Sequence, residues 1–225
     1  MRRSTFVIAP FALAVIVAGV WAAPTVAVAG RKQPLTCPSA HAKVIAADRQ
    51  AVVYEAPRPP EEREPEFFLI FACAHGHGRY ALGKRAAFGP EGGGGVASET
   101  LSGAMVAYEN SLAEPFPEPG HDSFVIFVRD LLTGRIVHEA PTAETKFPGD
   151  VGKGQAEKIV LKRDGGVAWI GLTVLKPTEY QVHAVDETGS RLLAAGGDIV
   201  PRSLTLQGST LRWIQNGKPT YAILH

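Results

Sequence analysis

Three observations predict that this 225-residue sequence folds as an all-β protein of four repeated antiparallel units. Short apolar runs recur between turns rich in Gly, Asp and Ser, the composition of hairpins. An aromatic residue falls at the same place in each repeat. A further apolar run, alternating or continuous as a half-buried or fully buried strand requires, follows each aromatic strand after a loop of variable length.

In order along the chain, the first strand of each unit is carried by Val44-Ile45, Thr100-Leu101, Ile159-Val160-Leu161 and Leu204-Thr205-Leu206. The turns Asp48-Arg49-Gln50, Ser102-Gly103-Ala104, Asp164-Gly165-Gly166 and Gln207-Gly208-Ser209 follow. The second strands carry the aromatic anchors Tyr54, Tyr108, Trp169 and Trp213, large rings expected to pack in the core or between units. Third strands run Phe67 to Cys73, Phe124 to Val128, Tyr180 to Val185 and Thr220 to Leu224. Two of them end in an Asp-to-Gly turn, Asp130 to Gly134 and Asp186 to Gly189; His75-Gly76-His77-Gly78 stands there in the first unit. Fourth strands are Tyr80-Ala81-Leu82, Ile136-Val137-His138 and Leu192-Leu193-Ala194. The units span about 42–83, 96–141, 156–197 and 201–225, within one domain over 30–225.

The Asp-x-x-Thr-Gly turn and the Val-Ala-Tyr and Val-Ala-Trp strands resemble those of secreted bacterial β-propeller repeats of the TolB-like, quinoprotein-like and WD40-like kind. The resemblance covers about Ala42 to Leu224 and implies a small propeller, with no activity attached. No Trp-Asp dipeptide ends a third strand, and the anchor spacing varies. A β-sandwich of stacked meanders is the alternative. In the propeller, Gln33 to Cys37 would supply the outer strand of the last unit by pairing with Thr220 to Leu224.

Residues 1–29 read as a signal peptide: Arg2 and Arg3 precede an uncharged apolar run from Phe6 to Ala29, and Ala27-Val28-Ala29 offers the small residues a signal peptidase accepts. An uncleaved leader would instead anchor the chain, since the run is long enough to cross a hydrocarbon core of ~30 Å. Either way the remainder is delivered outside the cytoplasm. Cleavage takes two of the 23 Lys and Arg and leaves 22 Asp and Glu, a net charge near −1 that argues against a nucleic-acid partner.

Cys37 and Cys73, the only two cysteines, belong to the exported part, and a disulfide between them is expected. Closing a loop of this length stabilises by about 3 kcal/mol in the chain-entropy picture. Leu35-Thr36-Cys37 is a poor lipidation box because Arg31 and Lys32 separate it from the apolar run.

Site motifs are sparse. His75 and His77, beside Cys73, are the weak candidates for a metal, with no third ligand in view and a solvated turn as the plainer reading. Gly149 to Gly154 lacks the Ser or Thr that follows Lys in a phosphate loop. No Gly-x-Ser-x-Gly elbow marks a nucleophile, and His41, His121, His138 and His183 have no partner spacing. No catalytic residue, cofactor or cofactor-binding residue is assigned. The proline-rich acidic insertions Ala56 to Glu66 and Ala113 to Asp122, with the shorter Thr173 to Thr178, all join second to third strands and would project from one rim.

The sequence therefore points to a secreted or envelope-associated, non-catalytic binding or scaffold module for a protein or glycan partner. An extracellular hydrolase or lyase with its site at a propeller mouth is the alternative, and a fragment completed by self-association is a third reading.

Overall fold

The computed structural model describes residues 37–38, 41–56, 67–86, 95–113, 122–143, 154–173 and 179–225. The leader, the Gln33–Thr36 part of the expected closing strand, the Gly149 to Lys153 motif and the interiors of the three insertions lie outside these residues. Among the described residues no helix is long and apolar enough to cross a membrane.

Among the described residues the fold is all-β, built of four antiparallel sheets taken in chain order. The first holds β1 (Lys43–Ala47), β2 (Ala51–Glu55), β3 (Phe67–Ala74) and β4 (Arg79–Ala86). The second holds β5 (Val96–Ser102), β6 (Met105–Ala113), β7 (Asp122–Asp130) and β8 (Ile136–Pro141). The third holds β9 (Ala156–Leu161), β10 (Val167–Leu172), β11 (Tyr180–Asp186) and β12 (Gly189–Gly196). The fourth is a meander of β13 (Thr205–Gln207), β14 (Thr210–Gln215) and β15 (Lys218–Ile223). Within each sheet every strand pairs antiparallel with its sequence neighbour, through tight turns or through the longer insertions.

Successive side chains of a strand point to opposite faces, so an inner sheet that reads as a continuous apolar run buries both. Ala51, Val53, Ile70 and Ala72 pack on Val106, Tyr108, Phe127 and Leu131, joining the first sheet to the second. Ala107, Ile126 and Val128 pack on Ile159, Leu161, Val167 and Trp169, joining the second to the third. Ala168, Ile170, Val182 and Ala184 meet Leu204, Leu211, Trp213 and Leu224 of the fourth. First strands touch first strands, β1 with β5, β5 with β9, and β9 with β13.

The four anchors are buried, Tyr54, Tyr108, Trp169 and Trp213 each at 3% exposure or less. Three of them share a rule: Tyr108, Trp169 and Trp213 face the sheet that precedes their own. Tyr54, in the first sheet, faces away from the second sheet and packs with Val52 and the Cys37–Cys73 disulfide, whose Cα atoms lie 6.2 Å apart.

Candidate functional site

Each first hairpin turn is shaped by its own residues, and the four turns converge. Asp48 accepts hydrogen bonds from the Gln50 and Ala51 N–H groups through Oδ1, the side-chain-capped turn that Asp favours. Its Oδ2 accepts the Gly103 N–H at 2.8 Å, tying the first sheet's turn to the second's. Gly103 has φ +65°, and a Cβ there would stand 2.7 Å from Gln50 Oε1 and 3.5 Å from Arg163 Cγ. Glycine is what lets the turns of the first three sheets come this close.

The turns of the second, third and fourth sheets enclose an open depression of about 380 Å³, lined by Ser102, Lys162, Arg163, Asp164, Leu206 and Gly208 among others. Its volume falls in the range that accommodates small ligands or a projecting side chain. Lys162 Nζ lies 2.7 Å from Asp164 Oδ2 and donates to the Leu224 carbonyl at 3.4 Å. Arg163 is exposed and lies near Asp48, so the mouth mixes fixed acids and bases.

Burial pushes the Asp48 carboxyl up, but the N–H groups of Gln50, Ala51 and Gly103 and the Arg163 charge outweigh it and hold it below the ordinary range. Asp164 behaves alike: against burial, Lys162 and the Gly166 N–H keep it low. Both carboxylates are thus ionised and already engaged, suited to holding shape and charge more than to moving protons.

His75 and His77 lie exposed on the β3–β4 turn. The His75 N–H donates to the Gln50 carbonyl at 2.9 Å, so this turn neighbours Asp48-Arg49-Gln50. Cys73 is in the disulfide with Cys37, and its sulfur is not free to join them as a ligand. Among the described residues no group of three His, Cys, Asp or Glu could hold a metal ion. Asp130 and Asp186, which begin the Asp-to-Gly turns, spend their carboxylates on those turns: Asp130 accepts from Leu132 N–H and Thr133 Oγ1, Asp186 from Thr188 N–H and Oγ1. Asp186 also pairs with Arg191 and accepts the His225 N–H at 2.8 Å, binding the third sheet to the segment after β15.

Because the first-hairpin turns lie at one end of their sheets, the connections from second to third strands leave from the opposite end of each sheet. The strand ends that lead into the insertions, Glu55, Ala113 and Leu172, lie at that end.

Two buried ionisable groups were not legible as such in the sequence. Glu109, 2% exposed, follows the anchor Tyr108 and sits between the second and third sheets. It accepts the Ala156 N–H at 2.8 Å and the Thr142 hydroxyl at 3.3 Å. Burial raises its pKa to about 7, the two hydrogen bonds opposing and the Glu157 charge adding. The available signal was the Tyr-Glu dipeptide shared with Tyr54-Glu55. His183, also 2% exposed, stacks on Trp169 and hydrogen-bonds Gln181 Oε1 at 2.8 Å through Nε2. Burial lowers its pKa to about 4. With Gln181 Oε1 as acceptor, the neutral ring carries its proton on Nε2.

No protein-family model matches this chain, and no curated protein matches its sequence.

Proposed function

We propose that this chain is an exported, non-catalytic binding or scaffold module of β-propeller type, which meets a protein or glycan partner at the mouth formed by its first hairpin turns. The observation that carries this reading is the convergence of the second, third and fourth sheets' turns on one open depression fringed by Lys162, Arg163 and Asp164, with the first sheet's turn tied to its edge by the Asp48 to Gly103 bond. Sheets stacked face to face through continuous apolar cores make a rigid support for such a surface. The contacts between first strands are those expected of propeller blades around an axis. The strongly shifted groups Glu109, His183 and Asp186 are engaged in structure: Glu109 accepts the Ala156 N–H, His183 stacks on Trp169 across the β10–β11 pair, and Asp186 accepts the His225 N–H.

Export is supported by the leader and by a disulfide that an oxidising compartment permits. Fractionation of the producing cell should find the chain outside the cytoplasm, with an N-terminus at Gly30. Glycan and peptide arrays probed with the exported protein should show binding that Arg163→Ala and Lys162→Ala weaken together. Turnover of glycosides, esters or peptides by the same preparation would overturn the non-catalytic reading.

A further inference from the structure

The chain holds two asparagines, Asn110 and Asn216, in contrasting surroundings. An asparagine loses its side-chain amide without any enzyme when the backbone nitrogen of the next residue attacks its Cγ. The attack is helped by a next residue that has no Cβ, by an N–H not already held in a hydrogen bond, and by room for the amide to swing.

Asn216 has all three. Asn216 and Gly217 are the two-residue loop of the β14–β15 hairpin, closed by the Gln215–Lys218 pair, and both are left-handed, at φ +51° and +69°. That is the type I′ geometry for which Asn-Gly is favoured. Both residues are exposed, and a Cβ on Gly217 would meet nothing within 4 Å. Neither the Gly217 N–H nor the Asn216 amide has a hydrogen-bond partner among the described residues. Asn110 has none of the three: it is half-buried in β6, paired with Val96 and Val125, and the N–H of the following Ser111 donates to the Gly95 carbonyl at 3.3 Å. The Asp164-Gly165 step is held as well, since the Gly165 N–H donates to the Lys162 carbonyl at 3.2 Å.

We propose that Asn216 is a self-modification site, converting to aspartate and isoaspartate as the folded protein ages. The Gly217 nitrogen bonds to Asn216 Cγ, the Cγ–Nδ2 bond breaks, and ammonia leaves with the proton that Gly217 gives up. Water then opens the succinimide ring. Addition at Cγ restores the ordinary backbone with an aspartate side chain; addition at the main-chain carbonyl carbon leaves the backbone running through Cβ and Cγ as isoaspartate. The nitrogen reaches Cγ when the turn swings out of its left-handed conformation, and exposed loop tips are where a backbone opens most readily. The inference is independent of what binds at the mouth.

The two products differ in effect. Aspartate keeps the turn, because Asp-Gly suits the same geometry. Isoaspartate lengthens the loop by a carbon atom, which the Gln215–Lys218 register cannot absorb. The Asn216 N–H also donates to the Asp198 carbonyl at 3.2 Å, beside the Ile199–Gln215 bridge, so the lesion reaches the link between the third and fourth sheets.

The test is storage of the purified, folded protein in mildly alkaline buffer until the same chain in urea has lost its Asn216 amide. Peptide mapping reads the mass gained when NH2 gives way to OH, and enzymatic methylation counts isoaspartate. The folded protein should convert at Asn216 and keep the Asn110 amide, and its isoaspartate fraction should unfold at lower urea than fresh protein. Asn216→Gly is the control that keeps the hairpin, since Gly-Gly serves a type I′ turn and has no amide to lose. It should gain no isoaspartate and hold its urea midpoint through storage. A folded protein that retains the Asn216 amide, or that loses the Asn110 amide equally fast, would overturn the site. A midpoint that drifts alike in wild type and Asn216→Gly would overturn the effect on the hairpin.

Discussion

The rings of Trp169 and His183 lie face to face, 5.2 Å between centroids and 12° between planes, at directly paired positions of β10 and β11. Tyr108 and Phe127 make the same stack in the second sheet, and Tyr54 and Phe71 in the first, again at directly paired positions. His183 therefore serves as the flat cross-strand partner of an anchor, a role phenylalanine fills elsewhere. Replacing it tests this. His183→Ala should cost about 2–4 kcal/mol by opening a hole beside Trp169. His183→Phe should stay within about 1 kcal/mol of wild type near pH 7, since it keeps the stack and loses only the Gln181 bond. Urea unfolding of the three proteins reads both; a Phe variant as weak as the Ala variant would mean that the imidazole does something a flat ring cannot.

The pH dependence follows from the opposite displacements of His183 and Glu109. His183 falls to about 4 in the fold from 6.5, so its contribution is fully present above 6.5 and is lost as pH falls toward 4. Glu109 rises to about 7 from 4.5, so its contribution is fully present below 4.5 and is lost as pH climbs to 7. Each spans on the order of 3 kcal/mol, and between 4.5 and 6.5 the two slopes nearly cancel. Single variants should uncover them. Between pH 7 and pH 5, Glu109→Gln should lose stability and His183→Phe should gain it, with wild type flatter than either. Parallel profiles for all three proteins in unfolding series would sink the assignment.

Strands and turns were legible because short apolar runs and Gly-Asp-Ser turns are local signals, and the anchors because they recur after the same turn. The stacking partner was not, since its identity changes from Phe71 and Phe127 to His183 and then to Thr220, and only register shows that the four positions correspond. Glu109 went unread for a related reason: a carboxylate beside an anchor looks solvated until the segment around Ala156 is seen to cover it. The mouth was hidden more deeply, because Asp48, Gly103 and Arg163 belong to three sheets and meet only when the sheets stack. His75 and His77 stood out by spacing, yet their turn leaves them in solvent.

The Cys37–Cys73 bond holds the segment that covers Tyr54, so its loss should act on the first sheet ahead of the others. Removing both sulfurs with Cys37→Ala and Cys73→Ala should lower stability by about 3 kcal/mol, mainly through a freer unfolded chain. Reductant should lower the wild-type melting midpoint and leave the double variant unmoved. A wild-type midpoint indifferent to reductant would show that the bond contributes nothing. Hydrogen exchange should rise first in β2 and β3, where Val52, Tyr54 and Cys73 lose their cover.

Gly171 tests how closely the second and third sheets must approach. A Cβ on it would stand 2.2 Å from the Thr142 carbonyl oxygen, the same oxygen that accepts the Trp169 indole N–H at 2.7 Å. The obstacle is backbone, which cannot swing aside as a side chain tip would, so Gly171→Ala must push the segment after β8 away and stretch that buried hydrogen bond. A loss of about 3 kcal/mol is expected, from overpacking and from an indole left without its partner. Gly78→Ala is the matched control, because a Cβ there meets nothing within 4 Å. It should leave stability within about 0.5 kcal/mol of wild type. Near-ultraviolet circular dichroism should change for Gly171→Ala alone, reporting the displaced Trp169. Equal behaviour of the two variants would mean that the sheets are spaced by something other than this contact.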